Sequence, residues 1–217
     1  MTVTSGISRD ALARLIAGDI PAGSCVNLGI GQPTAVADHL SAESGVVLHT
    51  ENGMLGMGPQ PPAGSEDPDL VNAGKQPVTE LPGASYFHHA DSFAMMRGGH
   101  IDVCVLGAYQ VSSDGDLANW HTGRPTDVPA VGGAMDLAVG ARETWVMMDL
   151  LTRDGTPKLV PSCTYPLTGL RCVTRVYTDA AVFLLDAGQV VVRDLLSVSF
   201  SELTDLLSVH LVDRTGR

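Results

Sequence analysis

Short apolar runs, each closed by glycine or by a helix-start signal, set the strongest limit on how this chain can fold. The run at residues 25–28 enters Gly29-Ile30-Gly31-Gln32-Pro33, and a helical pattern through Val36 and Leu40 follows. The run at 46–49 leads straight into Glu51-Asn52-Gly53. Others lie at 101–106, 144–148, 173–177, 181–185 and 190–193. Each has the length of a buried strand rather than of a helix. Helix signals fall between them. Ser8 caps a pattern carrying Ala11, Leu12, Leu15 and Ile16, with Gly18 as its stop. A second helix is predicted near 91–97, and Ser199-Phe200-Ser201-Glu202 is a capping box before Leu203, Leu206 and Leu207. Alternating strands and helices predict an α/β fold with an open, mostly parallel sheet flanked by helices. The strand-rich stretch after 173 predicts an antiparallel edge or a small additional β layer. Residues 58–69, rich in Pro, Gly and acid, read as a surface loop. There are no internal repeats, and residues 1–217 read as one domain.

Charge narrows the function classes. Twenty-four acidic residues against thirteen Lys and Arg give a formal net charge of −11. Such a surface repels a phosphate backbone, which argues against a nucleic-acid partner. Only two lysines occur, Lys75 and Lys158, so a cation beside a pocket carries more weight here. The four cysteines, Cys25, Cys104, Cys163 and Cys172, lack C-x-x-C spacing and read as buried thiols. No run of about eighteen apolar residues is present, which argues against a membrane span. The polar start, residues 1–10, lacks the apolar core of a leader, so a cytoplasmic location is expected. The histidines show no H-E-x-x-H spacing, and no metal is expected. There is no G-x-S-x-G elbow. Met95-Met96, Met147-Met148, Phe93, Trp120 and Trp145 read as packing.

Three glycine-bearing loops follow strands or open helices, where open α/β sheets hold their ligands. Gly29-Ile30-Gly31-Gln32-Pro33 resembles half of a dinucleotide fingerprint, but Thr34 stands where a third glycine belongs. It is either a tight strand-to-helix turn or a ligand loop. Glu51 sits at the end of an apolar strand beside Gly53, Gly56 and Gly58. It is either a solvated turn acid or a carboxylate nucleophile in a site that excludes water. Gly132-Gly133-Ala134-Met135 opens a helix, and its N–H groups could stabilise an oxyanion or simply pack closely.

Taken together, these loops resemble the β subunits of class I coenzyme A transferases. Thr50-Glu51-Asn52-Gly53-Met54-Leu55-Gly56 resembles the family's nucleophile motif, with Thr50 and Met54 as mild departures. The likeness continues through Asn72-Ala73-Gly74-Lys75, Leu81-Pro82-Gly83-Ala84-Ser85 and Ser92-Phe93-Ala94-Met95-Met96-Arg97-Gly98-Gly99-His100. Gly115-Asp116-Leu117-Ala118-Asn119-Trp120, Gly132-Gly133 and Pro166-Leu167-Thr168-Gly169 extend it over nearly the whole chain. It implies the class I CoA-transferase fold, with Glu51 as nucleophile and the Gly133 N–H as an oxyanion donor. It also implies substrate or CoA contacts from Asn27, Gly29, Gly31, Asn52, Gly53, Lys75 and Gly132. No cofactor is implied, because the CoA thioester is itself a substrate. The partner implied is an α subunit, with the active site between the two halves. Trp120-His121-Thr122-Gly123, Val128-Pro129-Ala130-Val131, Met147-Met148-Asp149 and residues 158–169 resemble members that pass CoA from succinyl-CoA to 3-oxoadipate. Acetoacetate-type members look different there. In that branch His121 or Arg124 is the candidate cation for the acceptor's distal carboxylate. A noncatalytic CoA-binding subunit is the alternative of another class, against which the intact Glu51-Asn52-Gly53 speaks.

Overall fold

The structure is a computed structural model that describes residues 6–216 except 125, 127, 130 and 187. Ala130, part of one branch-distinguishing stretch, therefore lies outside the described residues, as do residues 1–5 of the amino terminus.

The chain opens with α1 (Arg9–Asp19), whose first turn is closed by the Ala11 N–H donating to Ser8 Oγ at 3.2 Å. Its apolar stripe buries Leu12, Ala13 and Ile16. Gly18 does not stop it. Ile20 does, taking the extended conformation that a residue before proline prefers.

The central strands are β1 (Cys25–Leu28), β2 (Val47–Thr50), β3 (Met54–Met57), β4 (Glu80–Tyr86) and β5 (Val103–Leu106). Next come β6 (Gln110–Ser112), β7 (Leu117–Ala118), β8 (Glu143–Met148), β9 (Leu159–Val160) and β10 (Val173–Thr178). The last three are β11 (Ala181–Asp186), β12 (Gln189–Leu195) and β13 (Leu211–Asp213). Ten of these form one open sheet in the order β13-β12-β11-β10-β8-β5-β1-β2-β3-β4. Its centre, β10-β8-β5-β1-β2, is parallel throughout, and antiparallel strands flank it on both sides.

Strand alternation explains how both faces are buried. On β5, Val103 and Val105 join one apolar cluster while Cys104 and Leu106 join the other. On β8, Trp145 and Met147 face the α1 side, whereas Val146 and Met148 face away. That second face is covered by α2 (His89–Arg97), α3 (Ala134–Gly140) and α4 (Phe200–Leu206), which contribute Met96, Leu137 and Leu203 to its cluster. The capping box of α4 is formed, with Glu202 N–H donating to Ser199 Oγ and Ser199 N–H to Glu202 Oε2.

Three expectations change. The helical pattern through Val36 is a 3-10 helix, Gln32–His39. Glu51-Asn52-Gly53 is the turn of a β2–β3 hairpin, and β3 pairs onward with β4. β4 carries Pro82 and exposed polar positions, which suit a sheet edge and hide the strand from periodicity. The strands after 173 form the antiparallel side of the main sheet, one of the two arrangements expected for them, and the small β layer lies elsewhere, in the three-stranded β7-β6-β9.

Candidate active site

Glu51 stands where the parallel block ends, one residue beyond β2. The turn is tight: Gly53 N–H donates to the Thr50 carbonyl at 3.1 Å, and Met54 N–H donates to Thr50 Oγ1 at 3.2 Å. Gly53 adopts φ 114°, and a Cβ there would strike the Phe87 carbonyl oxygen. Only glycine fits both demands.

Across the cleft, Gly133 precedes α3, and its backbone lies against the Glu51 carboxylate and favours its charged form. A Cβ on Gly133 would fall on that carboxylate and lie 3.2 Å from the Phe93 ring. Burial raises the Glu51 carboxyl above the ordinary glutamate range, the charge of His89 and the Gly133 N–H oppose the rise, and Asp136 adds to it. A desolvated carboxylate is the more reactive nucleophile, and His89 and the Gly133 backbone oppose the loss of its charge.

Beneath the turn lies a closed polar network. Asn27 Nδ2 lies 3.0 Å from His49 Nδ1 and donates to the His49 carbonyl at 3.1 Å. His49 Nε2 lies 3.0 Å from Ser92 Oγ, which donates to the Thr50 carbonyl at 3.2 Å. An amide nitrogen can only donate, so Nδ1 is the acceptor. Ser92 spends its hydrogen on Thr50, so Nε2 carries the ring proton. Burial pushes the His49 pKa down to about 4 and fixes this neutral tautomer. Every member is almost fully buried, so Thr50, the residue before Glu51, is held from below by a satisfied network.

A cleft of about 340 Å³ opens from Glu51. Gly29, Gly132 and Gly133 line it, together with Tyr109, Asn119 and Lys158 from the neighbourhood of the small β layer. A narrower cavity of about 40 Å³ on the other side of Glu51 is lined by Asn27, Gly29 and residues 72–74. The structure thus brings Asn27, Gly29, Gly132 and Gly133 together around Glu51. Asn52 turns away, its Nδ2 donating to the Val71 carbonyl at 2.9 Å. Gly31, at φ 99°, serves the turn into the 3-10 helix. Lys75, at φ 61°, lies just beyond the loop that lines the narrow cavity, and it lines neither space.

His121 and Arg124 do not reach the cleft wall. His121 packs on Trp120 with ring centroids 5.4 Å apart and accepts the Gly123 N–H on Nδ1. Asp154 is held below the ordinary aspartate range chiefly by the Thr152 hydroxyl, and the charge of Arg124 adds slightly to that. Trp120 does not join the core; its Nε1 donates to the Leu167 carbonyl at 3.1 Å. Sequence reasoning missed Lys158, Asn119 and the His49 network. The scarcity of lysine was the signal for the first; the other two depend on contacts between distant segments.

This geometry places a partly buried carboxylate beside the end of a parallel sheet, at the mouth of a cleft. A family model described as Coenzyme A transferase matches residues 9–196. The chain belongs to the coenzyme A transferase family. It is 59% identical over 213 residues to the B (β) subunit of 3-oxoadipate CoA-transferase from Pseudomonas putida, covering 98% of this chain and 100% of that protein. Identity is 46% over 188 residues to the B (β) subunit of a probable succinyl-CoA:3-ketoacid coenzyme A transferase from Bacillus subtilis, covering 87% of each. The fold matches the acyl-CoA transferase YdiF from Escherichia coli O157:H7 with a TM-score of 0.72 at 16% identity. That match covers 98% of this chain and 42% of the YdiF chain.

Proposed function

We propose that this chain is the β subunit of a 3-oxoadipate CoA-transferase, moving CoA from succinyl-CoA to 3-oxoadipate in the catabolism of aromatic compounds. The observation that carries the reading is the partly desolvated Glu51 carboxylate at the cleft end, facing the Gly133 N–H. The higher identity to the 3-oxoadipate relative than to the 3-ketoacid relative supports the choice of acceptor.

Glu51 attacks the thioester carbonyl of succinyl-CoA; the C–S bond breaks, giving a mixed succinyl–glutamyl anhydride and CoA thiolate. The thiolate adds to the Glu51 γ-carbonyl and expels succinate, leaving a glutamyl–CoA thioester. The 3-oxoadipate carboxylate then attacks that carbonyl and releases the thiolate. The thiolate attacks the acyl side of the new anhydride, and Glu51 leaves as a free carboxylate with 3-oxoadipyl-CoA as product. Each addition builds an oxyanion, and the Gly133 N–H is one donor for it. No external cofactor or metal is required, since one thioester is exchanged for another.

The other donor comes from an α subunit, a partner implied by the naming of the Pseudomonas putida relative as one subunit of its enzyme. Two apolar side chains on the cleft rim support a covering partner: Ile30 is 64% exposed and Tyr109 42% exposed. The cytoplasm is the compartment this reading proposes; among the described residues no helix is long and apolar enough to cross a membrane. The test is a steady-state assay of the αβ complex with 3-oxoadipate and with acetoacetate. Parallel double-reciprocal lines and a clear preference for 3-oxoadipate are expected. Preference for acetoacetate would transfer the chain to the 3-oxoacid branch, and intersecting lines would remove the covalent mechanism.

A further inference from the structure

The donor acyl group and the acceptor assigned above share one feature: each carries a second carboxylate, remote from the carbon that reacts. An enzyme using both needs a cation at the far end of the cleft from Glu51. Among the described residues that line the cleft, Lys158 is the only one with a cationic side chain. It also lines an adjoining cavity of about 640 Å³, so it stands where the two spaces meet.

Its backbone is fixed at the mouth of the small sheet. Lys158 N–H donates to the Leu150 carbonyl and its own carbonyl accepts the Val111 N–H, both at 2.9 Å. Its ammonium makes no ion pair among the described residues. Asp149 and Asp179 favour its charge from a distance. Both already have partners: Asp149 pairs with Arg9 at 3.4 Å, and Asp179 accepts the Leu150 N–H at 2.8 Å. Burial pushes the Lys158 pKa down despite them, so the ammonium is desolvated without a matched anion. A half-buried cation in that condition gains more from an incoming carboxylate than an exposed one.

The geometry points to Lys158 as the specificity residue that holds the distal carboxylate of the succinyl group and then of the acceptor, in place of His121 or Arg124. The inference rests on the acceptor assignment above. It gives one cation a part in both half-reactions, which a ping-pong enzyme with a single cleft requires.

The αβ complex is assayed with 3-oxoadipate and with 3-oxohexanoate, which has the same chain length and a methyl group where the distal carboxylate would be. Lys158→Met should lower kcat/KM for 3-oxoadipate by roughly 10- to 100-fold, the worth of a charge-assisted hydrogen bond. It should leave 3-oxohexanoate nearly unchanged, so that selectivity between the acids collapses. Lys158→Arg should restore most of the preference, which a merely structural lysine would not explain. Equal losses on both acids, no loss on either, or a selective loss produced by Arg153→Gln in the adjoining cavity instead would overturn the proposal. The wild-type complex separates the two layers. If it does not use 3-oxoadipate, the acceptor assignment falls and takes this inference with it. If it does and Lys158→Met discriminates as wild type does, this inference falls alone.

Discussion

Acid should loosen this protein through one buried ring. His49 is 2% exposed, and burial holds its pKa at about 4 against an ordinary 6.5. The folded state therefore prefers the neutral ring, and the unfolded chain binds the extra proton between those values. The sign follows: the contribution is complete above about pH 6.5 and is lost as pH falls towards 4. Its full size is about 3 kcal/mol, of which roughly a third to a half is lost by about pH 5.5 and most by about pH 4.5. Protonation also breaks the network, because Nδ1 can no longer accept from Asn27 Nδ2. The assay is urea unfolding of wild type and His49→Gln across this range, reading the difference between them so that shared carboxylate titrations cancel. His49→Gln should be less stable at neutral pH, from lost ring packing, yet fall less steeply on acidification. Parallel curves for the two proteins, or a His49 ring signal titrating near pH 6.5 in the folded state, would refute the tautomer and burial argument together.

Other sites give sharper or simpler outcomes. Gly133→Ala keeps an allowed backbone, at φ −85°, but drives its Cβ onto the Glu51 carboxylate. Transferase activity should fall by about 10²-fold with an almost unchanged Tm, since a displacement of about 1 Å at the reacting group is enough. Gly53→Ala should instead cost stability, about 1–3 kcal/mol by urea unfolding, because its φ of 114° and the Phe87 carbonyl both exclude a side chain. Ser199→Ala removes the Oγ that accepts the Glu202 N–H, leaves the backbone N–H of the cap to bond Glu202, and should cost about 1 kcal/mol with no change in kcat.

What the sequence made legible was what local physics decides. The buried strands of the parallel block were readable because they are short and apolar, and the caps at Ser8 and Ser199 because a hydroxyl there satisfies a free N–H. Glu51 stood out through its strand and its glycines, and the family resemblance supplied the chemistry. β4 was not readable, since an edge strand with Pro82 and Gly83 has neither alternation nor strand propensity. The small β layer was expected but placed after 173, because β7 and β9 are two residues each and only pairing across distant segments defines them. The same holds for the site. Asn27, His49 and Ser92 meet through parallel pairing of β1 with β2 and the packing of α2, none of which is a sequence motif. Lys158 reaches the cleft only because β9 pairs with β6. His121 and Arg124 were chosen as cations in the stretch that sets the 3-oxoadipate branch apart, and neither lines the cleft.

The proposed mechanism requires Glu51 to become covalently bound to CoA. Incubating the αβ complex with succinyl-CoA and no acceptor should accumulate the glutamyl–CoA thioester, visible as a CoA-sized mass increase on this chain. Borohydride should then reduce the γ-carbonyl to an alcohol and inactivate the enzyme permanently, while enzyme never exposed to succinyl-CoA should be unaffected. Peptide mapping should place the reduced residue at Glu51, and Glu51→Gln should neither form the adduct nor turn over, a neutral amide being a poor nucleophile. An adduct at any other carboxylate, with Glu51→Gln still active, would contradict the account.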